Sequence, residues 1–98
     1  MNIIKFADFG ETLGTRKLGE SIRNEVETQI RLGNKTIFDF NGVDLISNSF
    51  ADECFGKLVE HFGMEIIKSK TTFANTNSKV SMVVKKAVTD RLNRMCCV

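Results

Sequence analysis

The sequence predicts an α/β fold, a small and mostly parallel β-sheet flanked by three helices, organised as one domain over residues 1–98. Three observations predict it. Segments with the 3.6-residue period of amphipathic helices alternate with short β-branched or aromatic runs, in the order strand, helix, strand, helix, strand, helix. That alternation is the pattern of parallel strands joined by helical crossovers. The length of 98 residues suffices for one core without metal or disulfide support. No proline, internal repeat or low-complexity stretch marks a linker.

The first strand falls on residues 2–6, where Ile3 and Ile4 supply β-branched side chains. Residues 7–14, with two glycines and two acids, read as a loop. A helix fits 15–32, because Leu18, Ile22, Val26 and Ile30 recur every four residues as one apolar stripe. Arg16, Lys17, Glu20, Arg23, Glu27 and Arg31 fall mostly off that stripe, and Glu27 with Arg31 adds an i,i+4 pair worth about 0.3 kcal/mol. Gly33-Asn34 is the stop signal, since glycine takes the left-handed conformation after a helix at little cost.

Residues 35–40 make the best strand, and their near-continuous apolar run predicts a central strand covered on both faces, with Asp39 as the exception. Asn41-Gly42 breaks it. The second helix is expected over 49–61, with Phe50, Cys54, Leu58 and Phe62 on one stripe and Ala51, Phe55 and Val59 beside it. Asp52 and Glu53 fall in its first turn, where the helix dipole favours acids, and Gly63 ends it. Residues 64–74 read as strand, in two short pieces at 65–68 and 71–74. The third helix opens at Asn77 or Ser78, either of which caps, and runs to about Arg94 on the period of Val80, Val83, Val84, Ala87, Val88 and Leu92.

The composition excludes several classes of function. The net charge of +2 is too small to imply nucleic-acid binding. The basic last helix, with Lys79, Lys85, Lys86, Arg91 and Arg94, reads as a solvated face. All eight aromatic residues are phenylalanine, which points to a core and not to a stacking platform. Cys54, Cys96 and Cys97 are an odd set without framework spacing, read as reduced thiols of a cytoplasmic protein. Met1-Asn2-Ile3-Ile4-Lys5 lacks the apolar run of a signal peptide, and no segment reaches the roughly 18 apolar residues of a membrane span. The tail Met95-Cys96-Cys97-Val98 reads as a frayed end.

Two loops carry the candidate chemistry. Ser47-Asn48-Ser49 opens the second helix. A serine there caps free backbone N–H groups, and a phosphate there is favoured by the dipole, so capping and phosphorylation are the two readings. Gly10-Glu11-Thr12-Leu13-Gly14-Thr15-Arg16-Lys17 also leads from a strand to a helix, a setting that suits an anion, with Arg16 and Lys17 as its cations. It is neither a Walker loop nor a dinucleotide fingerprint, because the glycine spacing differs and no Lys-Ser or Lys-Thr pair follows. A glycine loop with Thr15 as cap is its plain reading. His61, the one histidine, lacks neighbouring ligands, and Cys54 belongs to an apolar stripe. No metal, cofactor or catalytic residue is therefore expected, and the chain reads as a non-enzyme.

The run Asp39-Phe40-Asn41-Gly42-Val43-Asp44-Leu45-Ile46-Ser47-Asn48-Ser49-Phe50-Ala51-Asp52-Glu53, followed by Gly56-Lys57-Leu58, resembles the STAS-like family of unknown function DUF4325. Leu13-Gly14-Thr15-Arg16-Lys17-Leu18-Gly19 upstream and Thr72-Phe73-Ala74-Asn75 downstream fit the same family, so the resemblance covers nearly the whole chain. That family is similar to the STAS domains of bacterial anti-sigma-factor antagonists. The resemblance implies a partner-switching module that binds a histidine-kinase-like ATPase or other regulatory protein and is phosphorylated on a serine. The Asp-Ser-Ser-Gly stretch of those domains falls on Ser47-Asn48-Ser49-Phe50, which makes Ser49 the implied phosphorylation site. Ser47 stands where the acid would be and Phe50 where the glycine would be.

On this reading the partner-binding surface comprises Asp44, Ser47, Asn48, Ser49, Asp52 and Glu53. Arg16 and Lys17 border it if both loops leave the same sheet edge. Asp44, Asp52 and Glu53 are expected to oppose a charge on Ser49 and to offer a kinase an acidic patch. Apolar surface on the second helix suggests a homodimer. The rival readings are a small nucleotide- or anion-binding protein using the 10–17 loop, and a nucleic-acid protein using the last helix.

Overall fold

The computed structural model describes residues 2–96. In chain order it contains β1 (Asn2–Lys5), a 3-10 turn (Phe6–Phe9), β2 (Thr12–Leu13), α1 (Arg16–Arg31), β3 (Thr36–Asp39), β4 (Leu45–Ile46), α2 (Asn48–Ala51), a π-helical turn (Asp52–Gly56), α3 (Lys57–Phe62), α4 (Met64–Lys70), β5 (Thr71–Ala74) and α5 (Ser78–Cys96). The fold is α/β, as expected. Cys97 and Val98, with the side chain of Cys96, lie outside the described residues, so the frayed-tail expectation is not addressed there.

The main sheet has the order β1-β3-β5, and both pairings are parallel. Ile4 lies opposite Phe38, and Phe38 opposite Phe73. Side chains alternate across a strand. Ile4 and Phe38 are accordingly buried, while Ile3 on the other face is 56% exposed and its partner Ile37 is half-buried. The central strand is thus closed on one face and partly open on the other, which corrects the expectation of cover on both. An apolar run does not by itself distinguish a strand closed on two faces from one closed on a single face.

Phenylalanine dominates the closed side. Phe6 stacks on Phe40 with centroids 4.3 Å apart, Phe38 meets Phe55 at 5.3 Å, and Phe50 packs edge-on to Phe6 at 6.3 Å. All five rings are at most 2% exposed. Burying each contributes up to about 3 kcal/mol.

Segment 48–62 runs through α2, the π turn and α3 without a break and lies between α1 and α5. Its apolar residues Phe50, Ala51, Cys54, Phe55, Leu58 and Val59 are buried within the chain. The apolar surface expected to support a homodimer is therefore already covered. Two glycines set the helix spacing. A Cβ on Gly19 of α1 would lie 2.9 Å from the Phe50 carbonyl oxygen, and one on Gly56 would lie 2.9 Å from Asp52 Oδ1 and 3.4 Å from the Ala87 carbonyl of α5. Glycine permits both approaches.

Two local expectations need correction. Residues 65–68 are helical, not strand, so among the described residues four helical regions flank the sheet where three were expected. Met64 and Ile67 turn inward while Glu65, Ile66 and Lys68 stay exposed, a three-residue spacing that a strand does not give. Gly63, at φ 84°, re-aims the chain between α3 and α4. Residues 7–14 hold a 3-10 turn and β2 where a plain loop was expected.

Candidate functional site

The two candidate loops meet because β2 and β4 pair in parallel, Thr12 opposite Leu45 and Leu13 opposite Ile46. The pairing extends on both sides. Asp44 N donates to the Glu11 carbonyl at 2.8 Å, and Ser47 N to the Leu13 carbonyl at 2.8 Å. This small sheet fixes the start of α1 against the start of α2.

The two serines of the loop have different jobs. Ser47 is the N-cap: its Oγ accepts from Phe50 N at 3.0 Å and donates to the Gly14 carbonyl at 2.9 Å. It therefore ties the two loops together as well as capping. Ser49 is exposed, and its hydroxyl has no hydrogen-bond partner among the described residues. Phe50, which replaces the expected glycine, turns inward and is fully buried, so it leaves the surface around Ser49 open.

Ser49 lines an open cavity of about 160 Å³. One side of it comes from Arg16, Asn48 and Asp52, the other from Lys86, Asp90 and Arg94 of α5. Sequence reasoning expected Arg16 near Ser49 and missed the α5 residues. Their signal was present in the i, i+4, i+8 spacing of Lys86, Asp90 and Arg94, which puts all of them on one side of a helix. Nothing in the sequence said which element that side faces.

The charges around the cavity are arranged in layers. Arg16 Nη1 donates to Asp52 Oδ2 at 3.0 Å and reaches Glu53 Oε1 at 3.4 Å. From behind, Arg91, only 8% exposed, donates from Nη2 to Asp52 Oδ1 at 2.7 Å and from Nη1 to Glu60 at 3.2 Å. Burial pushes the Asp52 carboxyl up, but hydrogen bonds from Arg91 and Arg16 outweigh it and hold the group below its ordinary value. The hydrogen bond to Asp52 raises the Arg16 guanidinium in turn. Lys86 Nζ pairs with Asp90 at 3.1 Å. Arg94 has no carboxylate partner among the described residues.

Glu53 points the other way, into α1. It is 4% exposed and receives Arg23 Nη2 at 3.1 Å and Lys57 Nζ at 3.1 Å, while Arg23 Nε donates to its backbone carbonyl at 3.0 Å. Burial raises this carboxyl as well, and Lys57 and Arg23 more than reverse the effect. The network continues through Glu27 to Arg31 at 3.0 Å, the expected i,i+4 pair, and to His61 Nδ1 at 2.7 Å. A π turn occurs as an isolated turn inside an α-helix, often at functional sites. Here Asp52 and Glu53 are its first two residues and take arginines from opposite sides.

The expectation of an acidic patch around Ser49 is therefore corrected. Asp52 and Glu53 are neutralised by arginines, and Asp44 does not line the cavity. Asp44 is exposed, 3.5 Å from Lys79, and its carbonyl accepts from Asn77. Lys17 is exposed and also lies off the cavity lining. Burial pushes the Cys54 thiol far up, which makes it inert. A larger groove of about 480 Å³ lies on another side of α5, floored by Phe73, Val84, Val88 and Leu92. No helix among the described residues is long and apolar enough to cross a membrane.

The chain belongs to the family described as "STAS-like domain of unknown function (DUF4325)", whose family model matches residues 19–81. No curated protein and no solved structure matches the chain. The matched stretch includes Ser49 and Asp52 but not Arg16, Lys86, Asp90 or Arg94. The cationic part of the cavity thus comes from residues beyond that match.

Proposed function

We propose that the chain is a non-enzymatic protein-interaction module whose partner docks on the Ser49 face and is released by phosphorylation of Ser49. The observation that carries this reading is the contrast between the two serines. Ser47 uses its hydroxyl both as acceptor and as donor to hold the loops. Ser49 presents an exposed, unbonded hydroxyl at a cavity rimmed by Arg16, Lys86 and Arg94. A modifying enzyme reaches Ser49 without unfolding anything, and the phosphate, at about −1.5 to −2 charges, changes the electrostatics of the whole face.

The resemblance to anti-sigma-factor antagonists points to a histidine-kinase-like ATPase, or another regulatory protein, as that partner. The buried Cys54 thiol and the engagement of His61 with Glu27 support a role without catalysis. Affinity purification from the native cell tests the reading, with intact mass measured before and after phosphatase. The wild-type chain and Ser49→Ala are expected to retain the partner and Ser49→Glu to lose it. Equal retention by Ser49→Glu would remove the switch and leave a plain binding module. The rival anion site on the 10–17 loop has less behind it, because β2 pairing and the Thr15 cap already engage that loop. Stabilisation by nucleotides that disappears in Arg16→Ala would favour the rival.

A further inference from the structure

We propose that Lys86 and Arg94 of α5, with Arg16 of α1, form an internal cradle for the phosphoryl group of phosphorylated Ser49. This rests on the reading of Ser49 as a modification site and assigns what the phosphate does once attached. It is bound by the chain's own last helix and ties segment 48–62 to α5.

The argument starts from what surrounds Ser49. The cavity holds cations from two helices far apart in sequence, Arg16 on one and Lys86 and Arg94 on the other. The acids in the same lining are Asp52 and Asp90. Asp52 already has Arg91 behind it at 2.7 Å, outside the lining, so Arg16 is not its sole counter-charge. Asp90 holds Lys86 in an i,i+4 pair with side chains 46% and 66% exposed, the weak class of surface pair that a dianion displaces readily. Arg94 is exposed and offers a planar fork of donors suited to phosphate oxygens.

Space also permits the arrangement. One water needs about 10–15 Å³ of such volume, and the cavity has about 160 Å³. Phosphoryl transfer onto Ser49 is balanced without any group of this chain beyond the hydroxyl. Ser49 Oγ forms the new bond to the γ-phosphorus of a nucleoside triphosphate on the kinase. The bond to the bridging oxygen breaks, the nucleoside diphosphate leaves, and the hydroxyl proton passes to a base of the kinase.

The test installs phosphoserine at Ser49 during synthesis, so that no kinase is needed, and follows the phosphorus-31 resonance against pH. The second ionisation of a free phosphoserine lies at about pH 6. In the otherwise wild-type chain it is expected to fall by about one unit, and in the Lys86→Gln/Arg94→Gln double variant to return most of the way. Both replaced side chains are exposed, so the fold tolerates their loss. A titration at the free value in the wild-type background overturns the cradle. So does a lowered value that the double variant leaves unchanged, because backbone N–H groups and Arg16 would then account for it. Failure to find phosphate on Ser49 in the native cell would defeat the proposed switch without altering this titration, so the two readings fail separately.

Discussion

Segment 48–62 is held from two sides by the same device, and the two sides end differently. Toward α1 there is a glycine contact at Gly19 and an arginine-carboxylate pair, Arg23 with Glu53. Toward α5 there is a glycine contact at Gly56 and a second pair, Arg91 with Asp52. The α1 side is closed, with the Arg23 and Glu53 side chains 8% and 5% exposed. On the α5 side Asp52 reaches the surface and lines the cavity next to Ser49. One device thus serves to lock a helix in place on one side and to shape a charged, accessible recess on the other. Substitutions on the α1 side should therefore read out mainly as stability, and those on the α5 side as stability plus a change in the recess.

The largest effect is expected at Arg23. Its guanidinium serves the Glu53 carboxylate, the Glu53 carbonyl and Glu27 at 3.1, 3.0 and 3.3 Å. Arg23→Ala removes all three of these buried bonds, although Glu53 keeps Lys57 and Glu27 keeps Arg31, and should cost about 3 kcal/mol, seen as a lower urea midpoint. Arg91→Ala should cost less, because its partners Asp52 and Glu60 lie closer to water, with side chains 15% and 43% exposed. A larger loss at Arg91 than at Arg23 would reverse the assignment of the closed side.

The glycines sharpen the comparison. A Cβ at position 19 meets the Phe50 backbone carbonyl at 2.9 Å, whereas at position 56 the 2.9 Å contact is a side-chain oxygen and the nearest α5 backbone atom is at 3.4 Å. Backbone cannot swing aside as a side chain can. Gly19→Ala should cost about 2 kcal/mol and Gly56→Ala about 1 kcal/mol. Gly56→Ala should in addition disturb the Asp52–Arg91 pair and with it the recess.

Acid should weaken both sides. The ordinary values near 3.8 for Asp52 and 4.5 for Glu53 are lowered in the folded chain. Below about pH 5 the unfolded chain therefore binds more protons than the folded one, and stability rises with pH through that range. The contribution is complete above about pH 5.5 and is lost as pH falls through the folded-state values. Urea midpoints from pH 3 to 7 should follow this course, with the slope reduced in Arg91→Gln. An unchanged slope in that variant would mean that Arg91 is not what holds the Asp52 carboxyl down, leaving that part to Arg16.

Much of this was legible beforehand for a physical reason. Leu18, Ile22, Val26 and Ile30 repeat with the helical period, and the caps Thr15 and Asn77 are residues whose side chains bond the first turn. What was not legible depends on contacts between elements. Arg23 and Glu27 sit off the apolar stripe and yet are buried, because the facing helix supplies Glu53 and His61. The short helix at Met64–Lys70 reads as strand because Ile66-Ile67 is β-branched, and only the core shows which of the two turns inward. Of the candidate site, Ser49 and Arg16 were readable from the loops. The α5 half was not, since a basic helix face in a sequence carries no mark of what it looks toward.

The smallest effect separates the two serines. Ser47→Ala removes a cap and the bond to the Gly14 carbonyl, and should cost about 1 kcal/mol. Ser49→Ala removes a hydroxyl with no bonded partner among the described residues, and should change stability by less than about 0.5 kcal/mol. The pair of thermal melts is informative because the residues stand two positions apart on one helix start. If Ser49→Ala were the more damaging change, its hydroxyl would have a structural duty, and its availability for modification would lose its basis. If both melts are as expected, the Ser49 hydroxyl has no structural duty, and a loss of partner binding in Ser49→Glu then reports on charge at the recess and not on a damaged fold.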